Sequence, residues 1–331
     1  MKKLILLSFL ALAFSGCVPA AVAAAELPAA AQAAVTPYVS HTARPTPRPT
    51  PRPARTVRPE PFSLIWIADT QNMTRDNCAP IHSMAEWIAD NWKGLNARYA
   101  VHTGDIVSNG LKDSHWERVE PALKRLPKDL PFMTVAGNHN VGTRRKYENY
   151  LRWRFDTALP KSQVFQDGRG SYAALETGAG KFLLVGMGVT ISGEGYDWLN
   201  EVFAKHPDHT GILALHDYLS TGGGRSEEGG KVFERVVKNN PNLRFVLCGH
   251  NRGVAMEQDA LDDNGDGKPD RVVYQMMYNF QNDAERTGYF RILTFSPDRS
   301  LTVTTYSPYM DDYNYYESRE DEETFCIQKA F

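Results

Sequence analysis

Excess charge of either sign is missing from this chain of 331 residues: 37 Lys and Arg stand against 39 Asp and Glu, a formal net of −2. That balance gives no reason to expect nucleic acid or a strongly charged partner. The apolar run near the start, Leu4 to Phe14, is too short to remain in a bilayer as a spanning helix. Cysteine is scarce, with Cys17, Cys78, Cys248 and Cys326 the whole complement. With Cys17 set aside, an odd count outside the cytoplasm allows one disulfide and one free thiol. Cys78 with Cys326 is the pair considered, and Cys248, ending an apolar run, reads as buried packing.

What is present begins with Met1-Lys2-Lys3 ahead of the apolar run, the pattern of a secretory signal peptide. Phe14-Ser15-Gly16-Cys17 resembles a bacterial lipoprotein box, with Phe14 where Leu is usual and Cys17 as the lipidated residue. That makes the membrane a partner through a lipid anchor on Cys17. The rival cut, after Ala23-Ala24-Ala25, gives a soluble secreted protein. Residues 18–60 are Ala-rich and then carry Thr-Pro-Arg-Pro repeats with Arg44, Arg48, Arg52, Arg55 and Arg58. Proline at this density favours extended polyproline II, a semi-rigid basic spacer. The organisation expected is a signal peptide with lipobox over 1–17, the linker over 18–60 and one domain over 61–310. An acidic, Tyr-rich tail over 311–331, with little apolar periodicity, is expected to pack loosely.

From Pro61 strands and helices alternate. Leu64–Ala68 reads as a buried strand, and Ile81, Met84, Ala85, Ile88 and Trp92 have the spacing of a helix that covers it. Ser114-His-Trp-Glu117 has the form of a capping box at the next helix start. Ser171–Glu176 and Lys181–Met187 form a hairpin about Gly178-Ala179-Gly180. After Cys248 the pattern turns all-β, over 253–258, 271–278, 288–295 and 300–306. The fold class is α/β, a layered βαβ core whose late strands extend or add a second sheet.

Five strand-like runs end in groups that bind metals. The sequence Val101-His-Thr-Gly-Asp-Ile-Val-Ser-Asn109 brings Gly104-Asp105 to a strand end. Its companions are Asp69-Thr70-Gln71, Gly137-Asn138-His139-Asn140, His216-Asp217 and Gly249-His250-Asn251-Arg252. Carboxylate, amide and imidazole together suit Mn, Fe, Zn or Co. Two such ions about 3.5–4 Å apart, bridged by one carboxylate, can activate water and clamp a phosphoryl group. Asp105 is the natural bridge. His139 suits a proton donor to the leaving oxygen, because neighbouring Asn138 can be the ligand.

At these five blocks the chain resembles the calcineurin-like metallophosphoesterases, whose pattern is Asp-x-His, Gly-Asp, Gly-Asn-His-Asp/Glu, a lone His, then Gly-His-x-His. Trp66-Ile-Ala-Asp-Thr-Gln71 resembles the Asp-Thr-Gln opening of exported bacterial relatives. The resemblance implies a sandwich of two central β-sheets flanked by helices, two divalent ions and a phosphoester substrate, monoester or diester. It implies Asp69 and Gln71 at the first metal, Asp105 at both, Asn138, His216 and His250 at the second, and His139 as the acid. Gln71 replaces a His, Arg252 replaces the last His, Asn140 replaces an acidic residue, and Ser108 stands where many relatives have an Asp orienting the catalytic His. The second site is therefore complete and the first thin. Arg252 is a candidate to point at substrate phosphate, as is Arg225 after Gly222-Gly223-Gly224. His102 and His115 are read as structural. A catalytically weakened envelope protein that binds metal or ligand is the alternative function. Separately, Asp262, Asn264, Asp266 and Asp270 match the opening of a calcium loop, without Glu at the twelfth position, Val273. The competing reading there is a polar hairpin turn.

Overall fold

The computed structural model describes residues 58–331 apart from Arg144, Arg145, Ala158 and 282–286. The signal peptide, Cys17 and the repeats up to residue 57 lie outside the described residues. Among those described, no helix is long and apolar enough to cross a membrane.

The first strand, β1 (Phe62–Ile67), is buried at all six positions. Alternation sends Phe62, Leu64 and Trp66 to one side and Ile65 and Ile67 to the other. Both faces are therefore apolar, as in a strand covered on both sides. It runs parallel to β2 (Ala97–His102), which runs parallel to β3 (Phe132–Thr134). On its other edge β1 pairs antiparallel with β11 (Phe290–Phe295), then come β12 (Leu301–Tyr306) and β13 (Phe325–Ile327).

The second sheet has the order β4-β5-β6-β7-β8-β10-β9. Its members are β4 (Val164–Phe165), β5 (Gly170–Thr177), β6 (Gly180–Met187), β7 (Thr210–Ala214), β8 (Leu243–Cys248), β9 (Gly253–Leu261) and β10 (Arg271–Asn279). Strands β6, β7, β8 and β10 are parallel, and the expected hairpin is β5 with β6. Phe62, Trp66, Tyr99, Phe182, Phe245 and Phe295 fill the space between the sheets.

Helices cover the outer faces. Ile81, Met84 and Ile88 of α2 (Ala79–Asn91), with Trp116 and Val119 of α3 (Asp113–Leu123), pack on the first sheet. Leu199, Val202 and Phe203 of α6 (Gly193–Lys205) pack on the second, with Val232 and Val236 of α7 (Glu227–Val232, continued to 237 by a wider turn). The expected sandwich of two sheets flanked by helices is thus what the chain forms. Helix α3 starts one residue before the expected cap: Lys112 is the N-cap, with no side-chain cap bond, and Asp113 opens the first turn. Pro121 lies in the last turn, near the helix end at Leu123.

The tail expected to pack loosely belongs to the domain. Strand β13 completes the edge of the first sheet, and the buried Glu323 carboxylate accepts the main-chain N–H groups of Tyr315 and Tyr316 at 2.6 and 2.5 Å. Phe331 enters the core beside Phe182, Phe245 and Phe295. Its few apolar residues are spaced for neither helix nor strand, so periodicity could not announce them. Phe331→Ala should lower unfolding stability by roughly 3 kcal/mol, read as a fall in the urea midpoint. An unchanged midpoint would mean that the tail contributes nothing to the core.

No disulfide joins Cys78 and Cys326, and Cys248 is likewise in none. Cys248 is fully buried as expected, its thiol donating weakly to the Met276 carbonyl and pushed up in pKa by burial.

Candidate metal centre

The C-terminal ends of β1, β2, β3, β7 and β8 meet at one rim, where open parallel sheets bind ligands. Asp69, Asp105, Asn138, His216 and His250 each follow one of these ends. Asp69, Asp105 and His250 have φ of 52°, 51° and 68°, a left-handed conformation that costs a side-chain-bearing residue of order 1–3 kcal/mol. The surrounding loops must hold them there. Glycines make the close approach feasible: a Cβ on Gly249 would fall 1.9 Å from the Asp69 carboxylate, and one on Gly137 would fall 2.2 Å from that of Asp105.

Asp69 is fully buried and its carboxylate accepts the His250 N–H at 3.0 and 3.1 Å. Asp105 accepts the His139 N–H at 2.8 Å through Oδ1. Its Oδ2 lies 3.3 Å from His216 Nε2. That same nitrogen is 3.0 Å from Asn138 Oδ1 and 3.1 Å from His250 Nδ1. The other nitrogen of His216, Nδ1, lies 2.9 Å from the Thr103 carbonyl, to which it donates. The carbonyl thereby selects the tautomer that turns Nε2 to the cluster. Ligand atoms of Asp105, His216 and His250 lie within 4.8 Å of one another, the one such cluster of His, Cys, Asp or Glu among the described residues.

Buried together, the carboxylates and imidazoles of the cluster shift one another's titration. Burial, with Asp105 close by, pushes the Asp69 carboxyl well above its usual range, against the pull of His216. Burial also works to raise Asp105, but the charge and hydrogen bond of His216 hold it below the usual value. Burial would lower His216, yet the two carboxylates lift it to about 9. Burial and His216 together lower His250. Carboxylate, amide oxygen and imidazole converging from five strand ends fit a borderline first-row divalent ion.

Gln71, which opens the short helix α1 (Gln71–Asp76), is almost buried. The amide orientation that satisfies its surroundings donates N–H to the main-chain carbonyls of Asp69 at 3.1 Å and Asp105 at 2.9 Å. This turns the amide oxygen toward the side of the Asp105 carboxylate. Gln281, which sequence patterning did not single out, packs on Gln71 and also receives the Asn72 N–H at 3.1 Å.

Residues 62–251 match the family model described as calcineurin-like phosphoesterase. The chain belongs to the calcineurin-like phosphoesterases. It is 38% identical over 265 residues to the uncharacterized protein YvnB of Bacillus subtilis, an alignment covering 78% of this chain and 21% of that protein. The chain thus spans about a fifth of this relative's length. The fold is shared with a purple acid phosphatase of yellow lupin, at TM-score 0.55 and 12% identity over 82% of this chain and 54% of that one. It is shared also with a dimetal phosphatase of Danio rerio, at TM-score 0.56 and 12% identity over 81% of this chain and 99% of that one.

Two departures from the calcineurin-like phosphoesterase pattern have local substitutes. Buried Asn140 accepts the N–H of Gly137 at 2.9 Å and of Ile106 at 3.4 Å, so an amide oxygen ties the loops where an acid is usual. Ser108 orients His139 through its main chain: the His139 Nδ1 lies 3.0 Å from the Ser108 carbonyl. Its hydroxyl is engaged with His115 Nδ1 at 3.0 Å. His139 is partly exposed, with Nε2 4.0 Å from Asp105 Oδ2. His102 is structural as expected, accepting the Gly104 N–H and meeting the Thr70 hydroxyl at 3.1 Å.

Arg225 is not placed to hold phosphate. Its guanidinium pairs with Asp259, donates to Gln275 at 2.9 Å and lies over the Phe233 ring at 3.5 Å. Asp259, 34 residues away, meets it only because β9 folds back beside the glycine loop. Arg252 is exposed on the loop after His250. In the acidic turn between β9 and β10, the Asp262 carboxylate accepts N–H groups from Gly265, Asp266 and Gly267, and Asp270 receives those of Asp263 and Asn264. Asn264 Oδ1 is taken by the Asp266 N–H at 2.9 Å. These bonds suit the hairpin-turn reading and the calcium-loop reading alike.

A cavity of about 390 Å³ opens beside the centre. Asn138, His216 and His250 line it together with the loop after β6, from Gly188 to Ile191. Sequence patterning carried no sign of this loop.

Proposed function

We propose that this domain hydrolyses phosphate esters at a pair of divalent ions. The convergence of Asp105, His216 and His250 carries the reading. Asp69, Gln71 and Asp105 would hold the first ion, and Asp105, Asn138, His216 and His250 the second, with Mn, Fe, Zn or Co the metals this donor set suits. Bound there, the ions supply an activated water and neutralise charge on the phosphoryl oxygens. The chain's own part is positioning and proton transfer. The Ser108 carbonyl fixes His139 through Nδ1, which leaves Nε2 to carry a proton to the departing ester oxygen. Export through the N-terminal leader, with Cys17 as lipid anchor, would place this hydrolysis in the cell envelope.

The two metal sites are unequal in this reading, because Gln71 and Arg252 stand where imidazoles would complete the first. The same two residues favour the second reading, a binding protein of weakened turnover. Arg252 is exposed, so solvent screens its repulsion of a cation, and the missing ligand matters more than the added charge. Arg252→His is expected to lower the metal concentration for half-maximal activity by roughly three- to tenfold. If Arg252 instead holds substrate phosphate, the same change raises KM. Wild type and variant would be titrated with Mn and assayed on phosphomonoesters and phosphodiesters. Absence of hydrolysis at every metal concentration would remove the enzymatic reading in favour of the binding one.

A further inference from the structure

A sixth strand end reaches the metal rim. Strand β10 runs parallel to β8 and ends at Asn279. Phe280 enters the core, while the buried amides on either side of it meet: Gln281 donates to Asn279 Oδ1 at 2.9 Å. The same Gln281 nitrogen lies 3.3 Å from the amide oxygen of Gln71, in the orientation that satisfies Gln71. Gln281 Oε1 accepts the Asn72 N–H at 3.1 Å. It thereby caps α1 from 209 positions away, where Thr70 gives no side-chain cap bond. Asn279 in turn donates to the His250 carbonyl at 2.9 Å. The bonds close a ring, because the His250 N–H reaches the Asp69 carboxylate and Gln71 donates to the Asp69 carbonyl. Among the described residues, none of these three side-chain amides leaves a buried atom unpaired. A buried polar network satisfied throughout is a rigid one.

We propose that Gln281 is a positioning residue for the first ion, acting through Gln71, an inference that rests on the two-ion reading above. An amide oxygen is a weaker ligand than an imidazole for the ions this donor set suits. A glutamine side chain also loses much rotamer freedom when it is fixed. Gln71 therefore needs a hold from outside. Its N–H groups go to the carbonyls of Asp69 and Asp105, which sets the plane of the amide. Its oxygen has two lone pairs. Gln281 takes one, and the other is left for the ion beside the Asp105 carboxylate. Partners that orient a metal ligand in this way commonly raise affinity by about ten- to a hundredfold. The hold bears on one site. Gln281 bonds to Gln71 directly but reaches His250 only through Asn279, whose bond to the His250 carbonyl does not need it.

The full chain would be titrated with Mn, the free ion followed by electron paramagnetic resonance, to concentrations at which each variant fills both sites. Gln281→Met keeps the reach of the side chain and removes both hydrogen-bonding ends. It should weaken the weaker Mn site by roughly tenfold or more and leave the tighter site as in wild type. With Gln71→Ala already in place there is no oxygen to hold, and adding Gln281→Met should then cost that site less than about twofold. A merely structural role would lower both affinities, or cost the same in both backgrounds. Either result would overturn the proposal while leaving the phosphoesterase reading intact. A wild type that takes up only one Mn would remove the two-ion reading and the proposal with it. Circular dichroism checks folding; if Gln281→Met does not fold, Gln281→Ala takes its place, with the same loss expected at the weaker site alone.

Discussion

Asp105→Asn is expected to strip both ions from the protein and reduce phosphoesterase activity by at least three orders of magnitude. The carboxylate is the only anionic group shared by the two ligand sets, so its loss weakens both at once. A unit charge about 4 Å from a cation at an effective dielectric near 20 is worth of order 4 kcal/mol, or about a thousandfold in affinity. The fold should survive, because an amide oxygen at the same place can still accept the His139 N–H that Oδ1 now receives. Metal content after dialysis, circular dichroism and kcat would be measured together. A variant that keeps two ions and a tenth or more of the activity would show that Asp105 is not the bridge.

His139→Ala should behave differently. Its imidazole bonds outward, to the Ser108 carbonyl, while its main-chain N–H is what supports Asp105. Removing the ring therefore leaves the ligands in place, and metal content should not change. General acid catalysis contributes typically about 10²- to 10⁴-fold, so kcat should fall by that range on alkyl phosphates. A p-nitrophenolate leaving group needs little protonation, so the loss on p-nitrophenyl esters should be much smaller. An equal loss on both substrate types, or metal lost with the ring, would assign His139 to ligand positioning instead.

The parts of this site that could be read from sequence are those written locally. A strand, a turn and a ligand occupy adjacent positions, so Asp69, Asp105, Asn138, His216 and His250 were visible as five strand ends before any contact was known. Alternation of strands and helices implied only a layered α/β core, and the two-sheet sandwich was implied by the family resemblance of those five blocks. What stayed hidden was made by groups distant in the chain or without side-chain identity. The Ser108 carbonyl performs an orienting task expected of an Asp, and any residue has a carbonyl. Arg225 looked available because its partner Asp259 lies in another element. Tail residues such as Phe331 are core residues without periodicity. Gln281 and the Gly188–Ile191 wall carry ordinary residues whose use depends on what packs beside them.

The place of β1 has a consequence for how the molecule assembles. It is the first strand among the described residues, yet it sits inside its sheet, with β2 on one side and β11 on the other. Ser63 meets Thr294 across 231 positions of chain, and the Trp66 carbonyl waits for the Tyr278 hydroxyl 212 positions later. A nascent chain therefore carries, until β11 is made, a largely apolar strand with one unpaired edge. Closing loops of this length makes folding slow, and an exposed apolar edge is where other chains attach. Refolding yield should accordingly be governed by protein concentration during the interval before β11 docks, a kinetic exposure that the finished sandwich no longer shows.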